Sequence, residues 1–464
     1  MKESNQQNVQ REIDRLSQKK RKQMSSQERV RLLQLKLYLK AKQETSYTFY
    51  ILYDKLFLKH VLSEAYARCK ANDGSPGIDK MSFKDVEEYG RGRFLEELGE
   101  ELRKRTYKPQ PVRRVWIEKE NGGERPLGIP TITDRVAQQA CKMIIEPIWE
   151  ADFDGSSHGF RPNRSAAGAV GQIKQNLKSG MHEVYDADLS KYFDTISHDK
   201  LELALRERIA DPRVLHLIKL WLKAPIVEED GTYTGGKSNK KGTPQGGVIS
   251  PLLANVYMNL IDRIVNRPDG YFDKQGIKMI RYADDFILMS KHIRQEAIIR
   301  LHNYLERMGL VINTEKSKQV KARETPFEFL GFAFRYDRSV LFEGSRFWNV
   351  LPRPKSQKNI RQKINTKLKS IMHYPAEAVV AELNPIIRGW MNYYRIDKVS
   401  YTQVAFRTLD DYLRSRLNRF YQRKSQRKSR LHGQQAYQLL TQNYRLVAPY
   451  KTSGTRPVKA LRRR

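Results

Sequence analysis

The segment Lys278-Met279-Ile280-Arg281-Tyr282-Ala283-Asp284-Asp285-Phe286-Ile287-Leu288-Met289 sets two apolar runs on either side of an acidic pair. Runs this short and this rich in β-formers read as strands, and the break between them reads as a hairpin turn. The carboxylates of Asp284 and Asp285 then stand at or beside the turn, at the end of a hydrophobic sheet. Adjacent carboxylates repel each other, and burying them without a counter-charge is costly, so the pair calls for a cation. A magnesium ion with oxygen ligands meets that need; an ordinary Asp-Asp turn is the competing reading.

A second acidic run shifts the balance. In the run from Glu183 to Asp194, Asp186 and Asp188 alternate onto one strand face. A third carboxylate beside Asp284 and Asp285 would complete a two-metal site for in-line phosphoryl transfer. Asp186 and Asp194 read better as salt-bridge or loop-bonding residues. Between residues 110 and 340, β-rich runs (VRRVWIEK, EVYDADL, KMIRY, FILMS) alternate with longer helical segments such as SPLLANVYMNLIDRIV. That mixture predicts an α+β domain on an antiparallel sheet.

Charge narrows the partners. With 86 Lys+Arg against 52 Asp+Glu, the 464 residues carry a net +34, which demands a polyanion: nucleic acid first, an anionic membrane surface second. No apolar run approaches the ~18 residues of a spanning helix, and the N-terminus lacks the apolar core of a secretory signal. Cys69 and Cys141 are too few for a disulfide or zinc framework and read as buried apolar residues in a reducing cytosol. Residues 1–46 hold 12 Lys/Arg, with Val30, Leu33 and Leu37 at helical spacing, so a basic helix is expected there, either solvated or docked on nucleic acid. Residues 344–376 contain no acid, and Ile360, Ile364, Leu368 and Ile371 draw one apolar stripe opposite Lys358 and Lys369. After Asp411 the last 53 residues are again acid-free, with aromatics (Tyr412, Phe420, Tyr421, Tyr437, Tyr444, Tyr450) among 15 cations. A small helical domain facing RNA or DNA is the expectation.

The YADD box, the GTPQGGVISPLLANVYMN box and the DADLSKYFDTISHD run together resemble the group II intron-encoded reverse transcriptase/maturase family. NDGSPGIDK, GERPLGIPTITDRVAQQA, SSHGFRPNRSA, LVINTEKSK, FEFLGF and NPIIRGWMNYYR follow that family in order, over roughly residues 30–400. The resemblance implies an α+β right-hand polymerase. Its parts would be a basic helical extension (1–45), fingers and palm (46–340), a thumb or maturase domain X (341–405) and a basic DNA-binding region (406–464). It implies that Asp188, Asp284 and Asp285 bind two Mg2+ ions, and that Lys119, Arg125, Gln245 and Lys316 serve the incoming deoxynucleoside triphosphate. Phe193 would be the bulky side chain that excludes a ribose 2′-hydroxyl, a core phenylalanine being the alternative. Gln245 precedes a helix expected to be capped near Ser250.

Arg161 and Arg164 would be phosphate contacts, or a helix-anchoring salt bridge. The loop Gly74–Asp79 would clamp template and primer, and Phe329–Phe332 would be the primer grip. Lys355, Lys358, Arg361, Arg388 and Arg395 would face nucleic acid from the thumb, where Trp390 and Tyr393 either pack or stack on RNA. The implied activity is RNA-directed DNA polymerisation with intron splicing and retrohoming. The partners would be intron RNA, an RNA template and DNA primer or target DNA, with no membrane and no small-molecule cofactor, in a bacterial cytoplasm near the nucleoid. The sequence ends without the cysteine and histidine pairs of an HNH endonuclease. An intron-free enzyme of DNA repair or defence and a splicing-only maturase are the alternatives.

Overall fold

The computed structural model describes residues 2–19, 23–119, 122–236, 238–339 and 343–450; the side chains of residues 2–5, 119 and 424 lie outside that description. Eleven strands run in chain order: β1 Val112–Lys119, β2 Gly123–Ile129, β3 Glu183–Ala187, β4 Pro225–Val227, β5 Tyr233–Gly235, β6 Lys278–Tyr282, β7 Asp285–Ser290, β8 Lys318–Lys321, β9 Phe327–Phe329, β10 Phe332–Arg338 and β11 Arg346–Pro352. They form three sheets, ordered β2-β1-β4-β5, β6-β7-β3-β8 and β11-β10-β9. With the helices around them they make the α+β right-hand polymerase architecture expected from the sequence. Among the described residues no helix is long and apolar enough to cross a membrane.

The central sheet explains its own sequence. β6 and β7 pair antiparallel from Lys278↔Met289 to Tyr282↔Asp285, leaving Ala283 and Asp284 as a two-residue turn. Successive residues point to opposite faces, and both faces are covered. Met279, Phe286 and Leu288 pack into the main core with helices Ile132–Glu150, Ser250–Asn266 and Gln295–Met308. Ile280, Ile287 and Met289 pack the other way, with helix Ala166–Lys178 and the aromatic residues of β9, β10 and β11. The unbroken apolar run is therefore a strand buried on two sides. β3 lies between β7 and β8, with Asp186 opposite Ile287 and Lys318.

β1 and β2 form a hairpin in register from Arg113↔Ile129 to Lys119↔Gly123. Asp134 clamps its base: Tyr107 Oη donates to Oδ1 at 2.5 Å, while Thr131 Oγ1 and the Gln110 amide donate to Oδ2 at 2.8 and 3.1 Å. Burial pushes the Asp134 carboxyl up to about 6 despite these donors. The loop at Gly74–Asp79 is drawn onto the same region. Arg135 donates to the carbonyls of Gly74, Ser75 and Pro130, and Arg113 to that of Pro76 at 2.8 Å.

Elements of the fold run across two of the divisions expected for the chain. The boundary at 405/406 falls inside helix Gln403–Tyr421, and a single core joins that helix to Pro354–Ser370, Ala376–Tyr394 and Ala436–Asn443. The cut at 340/341 separates β10 from β11, which pair in register from Phe332↔Pro352 onward. In the N-terminal extension, Val30, Leu37 and Ala41 of helix Ser26–Gln43 enter the main core, so this basic helix is neither wholly solvated nor free of the fold. Among the aromatics after Asp411, Phe420, Tyr421 and Tyr437 are buried in the shared helical core. Residues 444–450 are stitched across this core. Asn384 donates to the Arg445 carbonyl and accepts from the Val447 amide, and Asp410 accepts from Tyr437 Oη and the Tyr450 amide. The rest of the expected DNA-binding region, 451–464, lies outside the described residues.

Candidate active site

The acids gather at one end of the central sheet. Asp285 is the first residue of β7, Asp284 occupies the turn, and Asp188 follows β3 by one residue. Ala283 takes φ +59, which gives the turn the positive φ that hairpins favour at their first central residue. Gly159 lies against it so closely that a Cβ there would stand 2.3 Å from the Ala283 nitrogen. Only glycine tolerates that approach.

Beneath the turn lies a buried polar platform. Arg281, fully buried, donates through Nε and Nη2 to Asp262, at 2.8 Å to Oδ1 and 2.5 Å to Oδ2. Its Nη1 donates to Asn255 Oδ1 at 2.9 Å and to the Ala283 carbonyl at 2.7 Å. Asn255 Nδ2 in turn donates to the Gly159 carbonyl at 2.8 Å. All three nitrogens of the guanidinium are thus engaged, and one of its bonds ends on the turn that carries Asp284. Sequence reasoning missed these residues. Their signal was an arginine in an apolar strand matched by Asn255 and Asp262, seven apart on an apolar helix.

Asp188 is fixed from the other side. Its amide donates to Ser317 Oγ at 3.1 Å, and its carbonyl accepts from the Asn313 amide at 2.8 Å. Asn313 Oδ1 also accepts from the amides of Glu315 and Lys316, closing a tight loop. That loop carries Lys316 Nζ to 3.6 Å from Asp188 Oδ2.

The acids charge one another. Asp285 keeps more than a third of its surface open, yet the surrounding protein, then Asp284, Asp188 and Asp186, push its carboxyl up to about 7. Burial raises Asp284 as well, with Asp188 adding to it and Arg125 opposing. Asp186 rises to about 6 by burial, countered by Lys318 across the strand. Among the described residues no three acidic, imidazole or thiol groups are already closed into a metal cage. The all-carboxylate donor set with a surplus of negative charge nonetheless fits hard divalent cations.

The remaining predicted residues fall in three groups. Arg125, on β2, is exposed and close enough to act on the Asp284 and Asp285 carboxyls, so the hairpin faces the acids. The Lys119 side chain lies outside the described residues. The Gln245 carbonyl accepts from the Gly128 amide at 2.5 Å, and Gly246, at φ +109, leaves no room for a Cβ beside the Gly128 oxygen. This close approach joins the palm loop to β2. Ser250 does not cap the helix after it. It is the first helical residue, its Oγ donating to the Pro244 carbonyl at 2.9 Å, and Ile249 stands at the cap without a side-chain bond. Phe193 is half-buried against the core and meets Phe160 edge-on.

Of the two readings of Arg161, phosphate contact and helix-anchoring salt bridge, the geometry matches the second. The Arg161 side chain is 2% exposed, paired in a fork with Glu150 at 2.7 and 3.0 Å and donating to the carbonyls of Asp154 and Ser157. It anchors the fold and is not placed for phosphate. Arg164 is exposed, with Nη1 on the Gly155 carbonyl at 3.0 Å.

On the thumb, Lys355, Lys358, Arg388 and Arg395 are exposed, while Arg361 is half-buried with Nε on the Gln357 carbonyl. Arg395 lies over the Phe406 ring at 5.6 Å. Trp390 packs half-buried against both the thumb core and the Phe327–Val350 cluster. Tyr393 Oη donates to the Leu330 carbonyl at 2.9 Å. Leu330 (φ +49) and Gly331 (φ +79) form the β9–β10 turn, so the thumb seats directly on the FLGF segment.

Comparison with known proteins agrees with this geometry. Residues 117–334 match the family model for reverse transcriptase (RNA-dependent DNA polymerase), and residues 357–437 match the group II intron maturase-specific domain. The latter match also runs across the 405/406 boundary. Protein YkfC of Escherichia coli K12 is 34% identical over 320 residues, which is 61% of this chain and 81% of YkfC. The group II intron-encoded protein LtrA of Lactococcus lactis is 30% identical over 355 residues, 62% of this chain and 57% of LtrA. A 91 kDa protein in the cob intron of Schizosaccharomyces pombe is 26% identical over 419 residues, 74% of this chain and 50% of that protein. The chain thus spans about half the length of these two intron-encoded relatives. With a polymerase palm, an acidic hairpin and a maturase-specific thumb in one chain, the protein belongs to the group II intron-encoded reverse transcriptase/maturase family, as an RNA-directed DNA polymerase.

Proposed function

We propose that the chain copies RNA into DNA by adding deoxynucleotides to a DNA primer, and that it binds its own group II intron RNA to assist splicing and retrohoming. The observation that carries the polymerase reading is the convergence of Asp188, Asp284 and Asp285 at one sheet end facing Arg125. Asp188, Asp284 and Asp285 would hold two magnesium ions, which when bound supply the charge stabilisation that in-line phosphoryl transfer needs.

The protein's own side chains do the rest. Arg125, with Lys119 across the same hairpin turn, grips the triphosphate, since cations on a tight turn suit a polyphosphate. Lys316, whose Nζ lies 3.6 Å from Asp188 Oδ2, would hold positive charge where pyrophosphate departs. Gln245 aligns template or nucleotide, and Phe193 excludes a 2′-hydroxyl by its bulk. For intron RNA, support comes from the maturase-specific match and from the exposed Lys355, Lys358, Arg388 and Arg395. The setting we infer is a bacterial cytoplasm with access to nucleoid DNA.

The test is extension of a DNA primer annealed to RNA, with magnesium, comparing the parent with Asp284→Ala and Asp285→Ala. Extension that falls to background in both variants is expected, and equal extension in all three overturns the assignment.

A further inference from the structure

Phe160 combines three features that rarely occur together. It is a bulky residue at φ +58, it is 49% exposed, and both its chain neighbours are immobilised. Gly159 is wedged on the Ala283 turn and held by Asn255, while Arg161 is locked into the Glu150 fork. An aromatic residue in left-handed backbone is strained. Half-exposed, it recovers little of that cost by burial. Phe160 is the second residue of the turn Gly159–Phe160, a position where positive φ ordinarily falls to glycine, so keeping a phenylalanine there fixes the direction in which its ring leaves the chain.

The ring meets Phe193, the centroids 6.5 Å apart with planes at 76°, an edge-to-face arrangement. Phe193 has its own tether on the far side, its carbonyl accepting from the Thr243 amide at 2.8 Å, and Tyr192 packs against its ring at 5.5 Å. Phe160 and Tyr192 are thus the two aromatic rings described against Phe193, and Phe160 is the one remote from it in sequence. Through Gly159, Phe160 is referenced to the turn that carries Asp284.

We propose that Phe160 is a positioning residue for sugar selection: its edge holds the Phe193 ring at a fixed height above the acids, so that a deoxyribose fits and a ribose does not. This rests on the reading of Phe193 as the wall against the 2′-hydroxyl. A half-buried ring without a brace can tilt, and the clash that rejects ribonucleotides weakens with it.

The test is single-nucleotide incorporation opposite one template base, measuring kcat/KM for the deoxynucleoside and the ribonucleoside triphosphate in the parent, Phe160→Gly, Phe160→Leu, Phe160→Tyr and Phe193→Ala. Phe160→Gly removes the ring together with the strain. It is expected to fold at least as well as the parent while losing about 2- to 12-fold in discrimination, the worth of an aromatic pair. Phe160→Leu gives the same loss with a bulky side chain retained, and Phe160→Tyr keeps the parent ratio. If both Phe160→Gly and Phe160→Leu keep the parent ratio while Phe193→Ala loses it, the brace is refuted and the wall stands. If Phe193→Ala keeps the parent ratio, the wall reading falls and the brace falls with it.

Discussion

Replacing Arg281 by Met tests whether the platform under the acidic turn does more than hold the fold. Arg281 and Asp262 are both 0% exposed, so removing one leaves a buried carboxylate without its counter-charge. Breaking such a pair costs about 3–5 kcal/mol. The carbonyl of Ala283 and Oδ1 of Asn255 also lose their donor, at about 1 kcal/mol each. Arg281→Met should therefore lower unfolding stability by about 5–7 kcal/mol in urea denaturation.

The informative variant is the double replacement Arg281→Met with Asp262→Leu. Exchanging a whole buried pair for apolar groups is often neutral, so stability should return to within about 2 kcal/mol of the parent. The Ala283 carbonyl still lacks its donor, so Asp284 sits on an unpinned turn. A misplacement of about 1 Å at a reacting group costs on the order of 100-fold, and the turnover of primer extension should fall by roughly 10- to 100-fold. A double variant that regains both stability and turnover would refute the positioning argument. Arg281→Lys supplies a check, because an ammonium can meet Asp262 but cannot also span Asn255 and Ala283.

Three further outcomes are expected. The unfolded Asp285 carboxyl ionises near its ordinary value while the folded one holds its proton up to about 7, so without divalent ions stability should fall as pH rises from about 4 to 7. Magnesium should raise the melting temperature more at pH 8 than at pH 6, and Asp285→Asn should flatten the slope; a profile unchanged by that substitution would refute the assignment. Arg161→Ala should cost about 3–5 kcal/mol in denaturation and leave the salt slope of RNA binding unchanged, whereas Arg164→Ala should keep stability and reduce that slope by about one if it meets a phosphate. Gly331→Ala places a Cβ 2.7 Å from Tyr394 Oη at φ +79, so it should destabilise by about 1–3 kcal/mol; Leu330→Gly, which relieves a strained φ, should stabilise by up to about 1 kcal/mol.

Much of the palm was legible because its signals are local. An apolar run broken by two acids can only be a buried hairpin with a charged tip, and the β6 and β7 bounds follow KMIRY and DFILMS closely. The stripe Ile360, Ile364, Leu368 and Ile371 is likewise buried as its spacing required. What stayed hidden depends on partners remote in sequence. Arg161 looks like any arginine in a basic loop until Glu150 is brought beside it. The strands β4 and β5, three residues each, have no periodicity to detect, and they exist because β1 offers an edge. Helix Ser26–Gln43 and the aromatics after Asp411 were read from their charges, whereas their apolar faces set where they sit.

The single core shared by Pro354–Ser370, Ala376–Tyr394, Gln403–Tyr421 and Ala436–Asn443 has a mechanical consequence. Tyr393 rests on the Leu330 turn at one end, and the Asn384 and Asp410 bonds gather residues 445–450 at the other, so the two ends are tied through one packed core. A load applied near the C-terminal end of this block is transmitted as a lever arm to the β9–β10 turn. An RNA seated there would tilt the same rigid body that a moving duplex must push aside, which makes holding an intron and advancing along a template competing demands on one lever.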